Sequence, residues 1–310
     1  MPANRVKPFA EIRGQDRTRD YLRTATREDR LAHALLFAGA DGIGKFSLAQ
    51  AFAVWMLCEE GGDDSCGECA ACRQAAAGSH PDVLVVTVAP GKKEIGVDRA
   101  RELKRFTQLQ PLSGKAKVGI IDGAHLLTVA AQNAMLKTLE DPPRRSILIL
   151  VANNPDALLP TVRSRLQRVP FSPLPEDDVV AVLTEQHDLT PKAARELAAL
   201  AEGSPGRALM LRSCLESGGA EVANEFASLK DAGYLELMQV LTRLTQPEGE
   251  IGAKLEMALA RLRDDAAAAA NPRAALRRAD AVRDALNALR RTNPNRQLLL
   301  EALLLRVTRA

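Results

Sequence analysis

No uninterrupted apolar run in this 310-residue chain approaches the roughly 20 residues that a membrane-spanning helix needs. The first fifteen residues, MPANRVKPFAEIRGQ, hold no apolar core of the kind a secretory leader carries, so neither a leader nor a membrane partner is expected. Charge of one sign is also scarce. Lys and Arg number 42 and Asp and Glu 39, and the resulting +3 does not by itself predict a nucleic-acid binder. Cysteine is scarce outside one stretch: of five, four lie between Cys58 and Cys72, which argues against disulfides spread over a secreted fold. The remaining composition, 46% hydrophobic and 26% charged, is ordinary for a globular protein long enough for two or three domains. The expectation is a cytoplasmic protein.

Two further absences are single residues. An apolar run, Ala34–Ala38, precedes the sequence GADGIGK, with Gly39, Gly42, Gly44 and Lys45, and an Ala/Leu-rich helical pattern follows. That is the strand, glycine turn and helix start of a phosphate-binding loop, in which backbone N–H groups and a lysine cradle phosphates. The next residue is normally Ser or Thr, whose hydroxyl ligates Mg²⁺; here it is Phe46, and Ser47 lies about 100° further round the helix. A second apolar run, 117–121, ends at Asp122, where a Mg²⁺-directed carboxylate is expected. The glutamate that would follow to orient an attacking water is replaced by Gly123. Either loss costs orders of magnitude in hydrolysis rate. Gly39, Gly42, Gly44, Lys45 and Asp122 are therefore candidates for a degenerate nucleotide site. Phosphate binding without hydrolysis, with ATP or ADP as ligand, stays open beside the plainer reading of 39–45 as a helix-starting loop.

Runs at 34–38, 83–88, 117–121 and 147–151 are short, rich in Val, Ile or Leu, and separated by helical patterns, which predicts a parallel sheet covered on both faces. Three prolines within 170–175 predict a hinge or linker. A short amphipathic helix is expected over 191–201, then a turn at 203–206, and from about Leu215 the chain reads as all-helical. Shared faces are expected for Leu237, Leu241 and Leu244, for Leu255, Leu259 and Leu262, and for Leu276, Ala279, Leu286 and Leu289. Residues 266–270 form a high-propensity helical stretch, Asn293-Pro294-Asn295 a break, and 297–307 a final apolar helix. The fold class expected is an α/β domain over 1–170, a small helical domain over 171–213 and a helical bundle over 214–310.

Cys58, Cys66, Cys69 and Cys72 form C-x7-C-x2-C-x2-C. Thiolates at this spacing can grip one tetrahedral ion from a tight turn eased by Gly67, with 61–64 as a flexible arm that lets Cys58 fold back. Four sulfurs leave no open coordination position, so a zinc ion there is structural. Disulfides or free thiols are the alternative. Cys214 stands alone and reads as a buried apolar residue.

Several stretches together resemble one family. They are Arg30-Leu31-Ala32-His33-Ala34 before the glycine loop, the four-cysteine insertion after its helix, and Ser79-His80-Pro81-Asp82 leading into a strand. With them stand the run from Asn133 to Pro143 (NAMLKTLEDPP) and the run from Leu159 to Arg165 (LPTVRSR). The chain from about Phe9 to Arg207, and more loosely its helical remainder, resembles clamp-loader subunits of the AAA+ class, and most closely the bacterial DNA polymerase III delta-prime group. The resemblance implies an AAA+ P-loop domain, a helical lid and a C-terminal collar through which subunits join. It implies a place in a five-membered ring with ATPase subunits and a delta-like subunit, opening a sliding clamp and placing it on primed DNA within the DNA polymerase III holoenzyme.

In such rings ATP lies between neighbours, and an arginine within a Ser-Arg-Cys motif of the next subunit completes each site. The corresponding residues are Ser164-Arg165-Leu166, so the resemblance makes Arg165 an arginine finger acting in trans, with Arg163 the weaker candidate and a surface ion pair the plain alternative. Delta-prime subunits typically do not hydrolyse ATP, which agrees with Phe46 and Gly123. A sensing arginine follows Gly-Ser-x-Arg in active subunits; here Gly203-Ser204-Pro205-Gly206-Arg207 shifts it by one. Asn153 matches a polar sensor position, with loop capping equally open. Lys92-Lys93 and Lys104-Arg105 are candidate phosphate contacts or solvated surface. The competing readings are an active AAA+ ATPase with an unusual Mg²⁺ arrangement and a zinc-bearing adaptor outside replication.

Overall fold

The structure, a computed structural model, describes residues 6–112, 115–229, 233–247, 250–269, 272–291 and 295–308. Ala270, Asn293 and Pro294, on which two expectations fall, lie outside the described residues. The chain divides into two compact units, Met1–Gly206 and Arg207–Ala310.

The first unit is built on five parallel strands: β1 (Ala34–Ala38), β2 (Val83–Val86), β3 (Lys117–Asp122), β4 (Ser146–Ala152) and β5 (Gln167–Pro170). Their order across the sheet is β2-β3-β4-β1-β5. β1 and β4 are buried along their whole length, as expected of apolar central strands covered on both faces. Ala34, Leu36 and Ala38 of β1 and Leu148, Leu150 and Ala152 of β4 alternate onto one face. There they pack with Leu103 of α4 (Val97–Gln108) and with Met135 and Leu139 of α5 (Val129–Glu140).

The α/β class and the four expected strands are present, with ends shifted by a residue or two. β5 was not expected. It is an edge strand in which only Val169 is buried, so it offers no apolar run, and it ends on a proline that an edge tolerates. Helix α7 (Glu176–His187) follows after residues 171–175, with Glu176, Asp177 and Asp178 in its first turn at the positive end of the helix dipole.

The proline-rich segment 170–175 is fixed rather than loose. The Phe171 N–H donates to Ala38 O at 2.9 Å, and its ring tilts against Phe37 at 5.0 Å. The Leu174 N–H donates to Gly203 O at 2.8 Å. The segment 61–64 is likewise tied down rather than a flexible arm. The Trp55 indole donates to Gly62 O at 2.9 Å, and Arg27 pairs with Asp63. Asp64 accepts the N–H groups of Phe9 and Ala10 at 2.8 and 2.6 Å, while Phe9 stacks on Trp55 at 5.3 Å. Glycines made this stretch look free, but its carboxylates and carbonyls have distant partners.

A buried ion pair closes the end of the sheet opposite the glycine loop. Lys117 Nζ lies 2.9 Å from the Asp82 carboxylate, with 4% and 0% of the two side chains exposed. The ammonium also donates to Pro81 O at 3.1 Å and sits 4.6 Å from the centre of the Phe106 ring. Asp82 accepts the Leu112 N–H at 2.9 Å, and the Asp82 N–H donates to His80 Nδ1 at 3.0 Å. The Ser-His-Pro-Asp sequence is thus a structural bolt between β2 and β3.

The second unit holds most of α9 (Pro205–Glu216) and helices α10 (Gly219–Ser228), α11 (Tyr234–Thr245), α12 (Ile251–Ala268), α13 (Arg273–Arg291) and α14 (Arg296–Thr308). Its core joins Leu241 and Leu244, Leu255, Leu259 and Leu262, and Ala279, Val282 and Leu286, with Leu237 and Leu289 partly buried beside them. Leu276 departs from expectation and is 49% exposed. At 100° per residue it lies about 120° round α13 from Val282, the centre of the buried stripe. Arg278 is buried, and its Nη2 donates to Ala227 O and Leu229 O at 2.7 and 2.5 Å, so it caps the carbonyl end of α10.

Replacing one member of the buried pair leaves the other charge uncompensated, so Lys117→Met should cost about 3–5 kcal/mol in urea unfolding. The double replacement Lys117→Met with Asp82→Leu should recover much of that; a loss in the double variant equal to the sum of the two single losses would show that the pair is not coupled.

Candidate functional site

The glycine loop leaves the C-terminal end of β1 and enters α2 (Lys45–Leu57), with Gly42 and Gly44 at φ of 69° and 89°. Every carbonyl from 39 to 44 accepts a hydrogen bond. Lys45 Nζ donates to Gly39 O at 3.0 Å and to Ala40 O. Ser204 Oγ donates to Asp41 O at 2.8 Å, the Gly206 N–H to Gly42 O at 3.0 Å, and Gln15 Nε2 to Ile43 O at 3.3 Å. The Leu48 N–H closes the set on Gly44 O at 2.9 Å. Gly206 is required where it stands, because a Cβ there would lie 2.7 Å from Gly42 Cα.

Lys45 is 4% exposed. Burial lowers its pKa to about 8, against the opposing pull of the Asp41 and Asp122 carboxylates. Asp122, at the end of β3, is pushed up by burial and by Asp41, while Lys45 and the Gly123 N–H hold it down. β4 separates β3 from β1, so Asp122 faces the loop across one strand. His125 shares this crevice; burial lowers its pKa, and its Nδ1 accepts the Asn153 N–H at 3.4 Å. The structure therefore brings Lys45 and Asp122 together as the sequence suggested and adds Asp41 and His125.

The two missing groups are also missing from the geometry. Phe46 is half-buried and Ser47 points to solvent. Gly123 sits at φ 80°, ψ 39°, in the left-handed region. A glutamate there would carry strain of about 1–3 kcal/mol, so the turn suits glycine.

The four clustered thiols lie with all sulfurs within 4.8 Å of one another. A tetrahedral zinc with Zn–S bonds of about 2.3 Å requires sulfur separations near 3.8 Å. Cys66 Sγ and Cys72 Sγ are 3.9 Å apart, far beyond a disulfide bond. The Cys66 N–H donates to Cys58 Sγ, the Cys69 N–H to Cys66 Sγ and the Cys72 N–H to Cys69 Sγ, at 3.4, 3.3 and 3.4 Å. Burial pushes the Cys58 thiol up, but backbone N–H groups led by Cys66 bring it to about 7; burial raises Cys72. The donor set fits a four-sulfur ion site. Cys214 is fully buried in the second unit, as expected, with its pKa raised to about 11 by burial and by Glu250.

Arg165 follows α6 (Pro160–Arg163), a single turn started by a proline. Its Nη1 donates to Thr161 O at 2.7 Å and Ser164 Oγ at 3.3 Å, and its Nη2 to Glu140 Oε1 at 2.6 Å. Arg163 pairs elsewhere, with Asp156. Leu166 is partly buried against the core cluster of β1 and β4, which accounts for an apolar side chain there. Arg207 lies in the second unit, where it pairs with Glu256 at 2.8 Å. Lys92 and Lys93 are exposed, whereas Lys104 lines a shallow polar pocket with Gln108, Lys137, Thr138 and Asp141.

A family profile described as "DNA polymerase III, delta subunit" matches residues 14–175. The chain belongs to this family. DNA polymerase III subunit delta' of Escherichia coli K12 is 38% identical over 180 residues, covering 58% of this chain and 54% of that protein. DNA polymerase III subunit tau of Bacillus subtilis is 35% identical over 213 residues, covering 67% of this chain and 37% of that protein. The match thus spans about half the length of the delta' relative. A gamma subunit-related protein of Thermotoga maritima, known by crystal structure, aligns at 18% identity with TM-score 0.48, over 92% of this chain and 98% of that one. Within the family the chain is delta-prime-like.

The residues that sequence reasoning missed are Gln15, Asp41, His125 and Ser204. In the sequence Ser204 reads as part of a turn and of the shifted Gly-Ser-x-Arg motif but not as a brace of the loop, and Gln15 carries no local signal because it acts 28 residues away in the chain.

Protein purified without chelator should carry a single zinc by atomic absorption, and Cys58→Ser or Cys72→Ser should abolish it. Full zinc content in both variants would rule out the four-sulfur site.

Proposed function

We propose that this delta-prime-like chain is a non-hydrolytic subunit of a DNA polymerase III clamp loader that completes a neighbour's ATP site with Arg165. It works beside ATPase subunits and a delta-like subunit in a five-membered cytoplasmic ring that loads a sliding clamp onto primed DNA. The observation that carries the reading is a mismatch within one chain. The glycine loop lacks a Mg²⁺-ligating hydroxyl at Phe46 and a water-orienting carboxylate at Gly123, yet Arg165 is held near the surface on a proline-started turn. A guanidinium stays charged at any working pH and can stabilise phosphoryl charge across an interface.

On this reading the residues of the degenerate site keep structural work. Gly39, Gly42 and Gly44 shape the turn, Lys45 ties it, and Asp122 balances Lys45, with ATP or ADP as the ligand class that such a loop would take. The four cysteines hold a structural zinc at the base of α2. Residues 171–213 act as the lid and 214–310 as the collar. Lys104 and Lys137, which line one pocket, supply phosphate contacts once the ring surrounds DNA.

The test is a reconstituted loader in which only the ATP site facing this subunit can turn over. Arg165→Ala should lower turnover at that site by about 10³-fold, the low end of what an arginine finger contributes. Unchanged turnover would contradict the reading.

A further inference from the structure

Helix α5 grips the turn that carries Arg165 at both of its ends. At one end Gln132, 2% exposed, accepts the Leu159 N–H on Oε1 at 2.7 Å. Its Nε2 donates to Leu127 O and Ala157 O at 3.1 and 3.4 Å, which fixes the residue just before α6. At the other end Glu140, the last residue of α5, accepts from Arg165 Nη2 at 2.6 Å. The first anchor sets where α6 begins; the second sets where the arginine points.

Glu140 is well suited to that second task. The helix stops there because Asp141 is followed by Pro142 and Pro143, so the carboxylate stands at a fixed end rather than on a loop. Thr161 O and Ser164 Oγ engage only Nη1 and belong to the same short turn as Arg165, so by themselves they allow the group to swing with it. Glu140 adds a hold on Nη2 from a different element. Two nitrogens held from two elements define the plane of a guanidinium. Arg163, two residues away, is drawn to Asp156 and does not compete for Glu140.

We propose that Glu140 is the positioning residue for Arg165, presenting its guanidinium to the neighbouring subunit's nucleotide. This rests on the finger reading of Arg165. Misplacing a catalytic group by about 1 Å can cost up to 10²-fold in rate, whereas ground-state nucleotide binding in the partner is untouched. The consequence is a change in kcat without a change in KM.

The experiment is a double-mutant cycle in the complete reconstituted loader: wild type, Glu140→Ala, Arg165→Ala and both together, with kcat and KM for ATP and thermal melting of each variant. With 52% of its side chain exposed, Glu140 can be shortened without opening a cavity. Glu140→Ala is expected to lower kcat by about 3- to 30-fold at unchanged KM and melting temperature, with no further loss when Arg165 is already Ala. Glu140→Gln, which keeps an acceptor, should retain an intermediate kcat. Two results would overturn the proposal while leaving the finger intact. One is a normal kcat in Glu140→Ala beside a large loss in Arg165→Ala; the other is an equal loss from Glu140→Ala in both backgrounds. A silent Arg165→Ala would instead remove the finger reading, and the positioning role with it.

Discussion

Six consecutive carbonyls of the glycine loop, from Gly39 to Gly44, each accept a hydrogen bond from within the protein, and the form of the turn depends on them. The donors come from α2 itself, from Gln15 near the N-terminus, and from Ser204 and Gly206 at the far end of the first unit. One short turn therefore gathers segments separated by nearly two hundred residues of chain. These bonds brace the turn between β1 and α2 at every carbonyl. Lys45 joins in, its Nζ donating to Gly39 O and Ala40 O.

The same economy explains why the site keeps some residues and not others. Lys45 and Asp122 stabilise one another in a buried crevice, so loss of either would strand a charge. The hydroxyl and the glutamate serve only metal and water, and nothing in the fold depends on them. Phe46 is half-buried at the start of α2, and Gly123 takes a left-handed turn. Arg165 lies at the other extreme. It is a third exposed, supports no core, and is nonetheless held by three acceptors. Such restraint on a side chain the fold does not need is the physical basis for giving it a task outside its own subunit.

Much of this was legible in the sequence because the signals were local. Central strands are buried on both faces, so β1, β3 and β4 read as unbroken apolar runs. The cysteine spacing announced its own turn, and Gly39 to Lys45 announced theirs. β5 was illegible because an edge strand needs only one buried side chain, Val169. The segment 61–64 read as slack because glycine composition reports backbone freedom and not the partners that remove it; Asp64 and Gly62 find theirs on the N-terminal segment and on Trp55. The loop's bracing was hidden for the same reason. Gln15 and Ser204 are unremarkable in their own surroundings and acquire meaning only when the chain brings them to residues 41 and 43.

The central claim is that this chain gives an arginine to a neighbour's chemistry and performs none with its own loop. The most direct measurement is ATP turnover by a complete loader in which the P-loop lysine of every ATPase partner has been replaced, so that the loop around Lys45 is the last intact one. The account predicts no hydrolysis above that of buffer. Turnover that survives in that ring and disappears on Lys45→Ala would show that the loop is a working ATPase site and contradict the account.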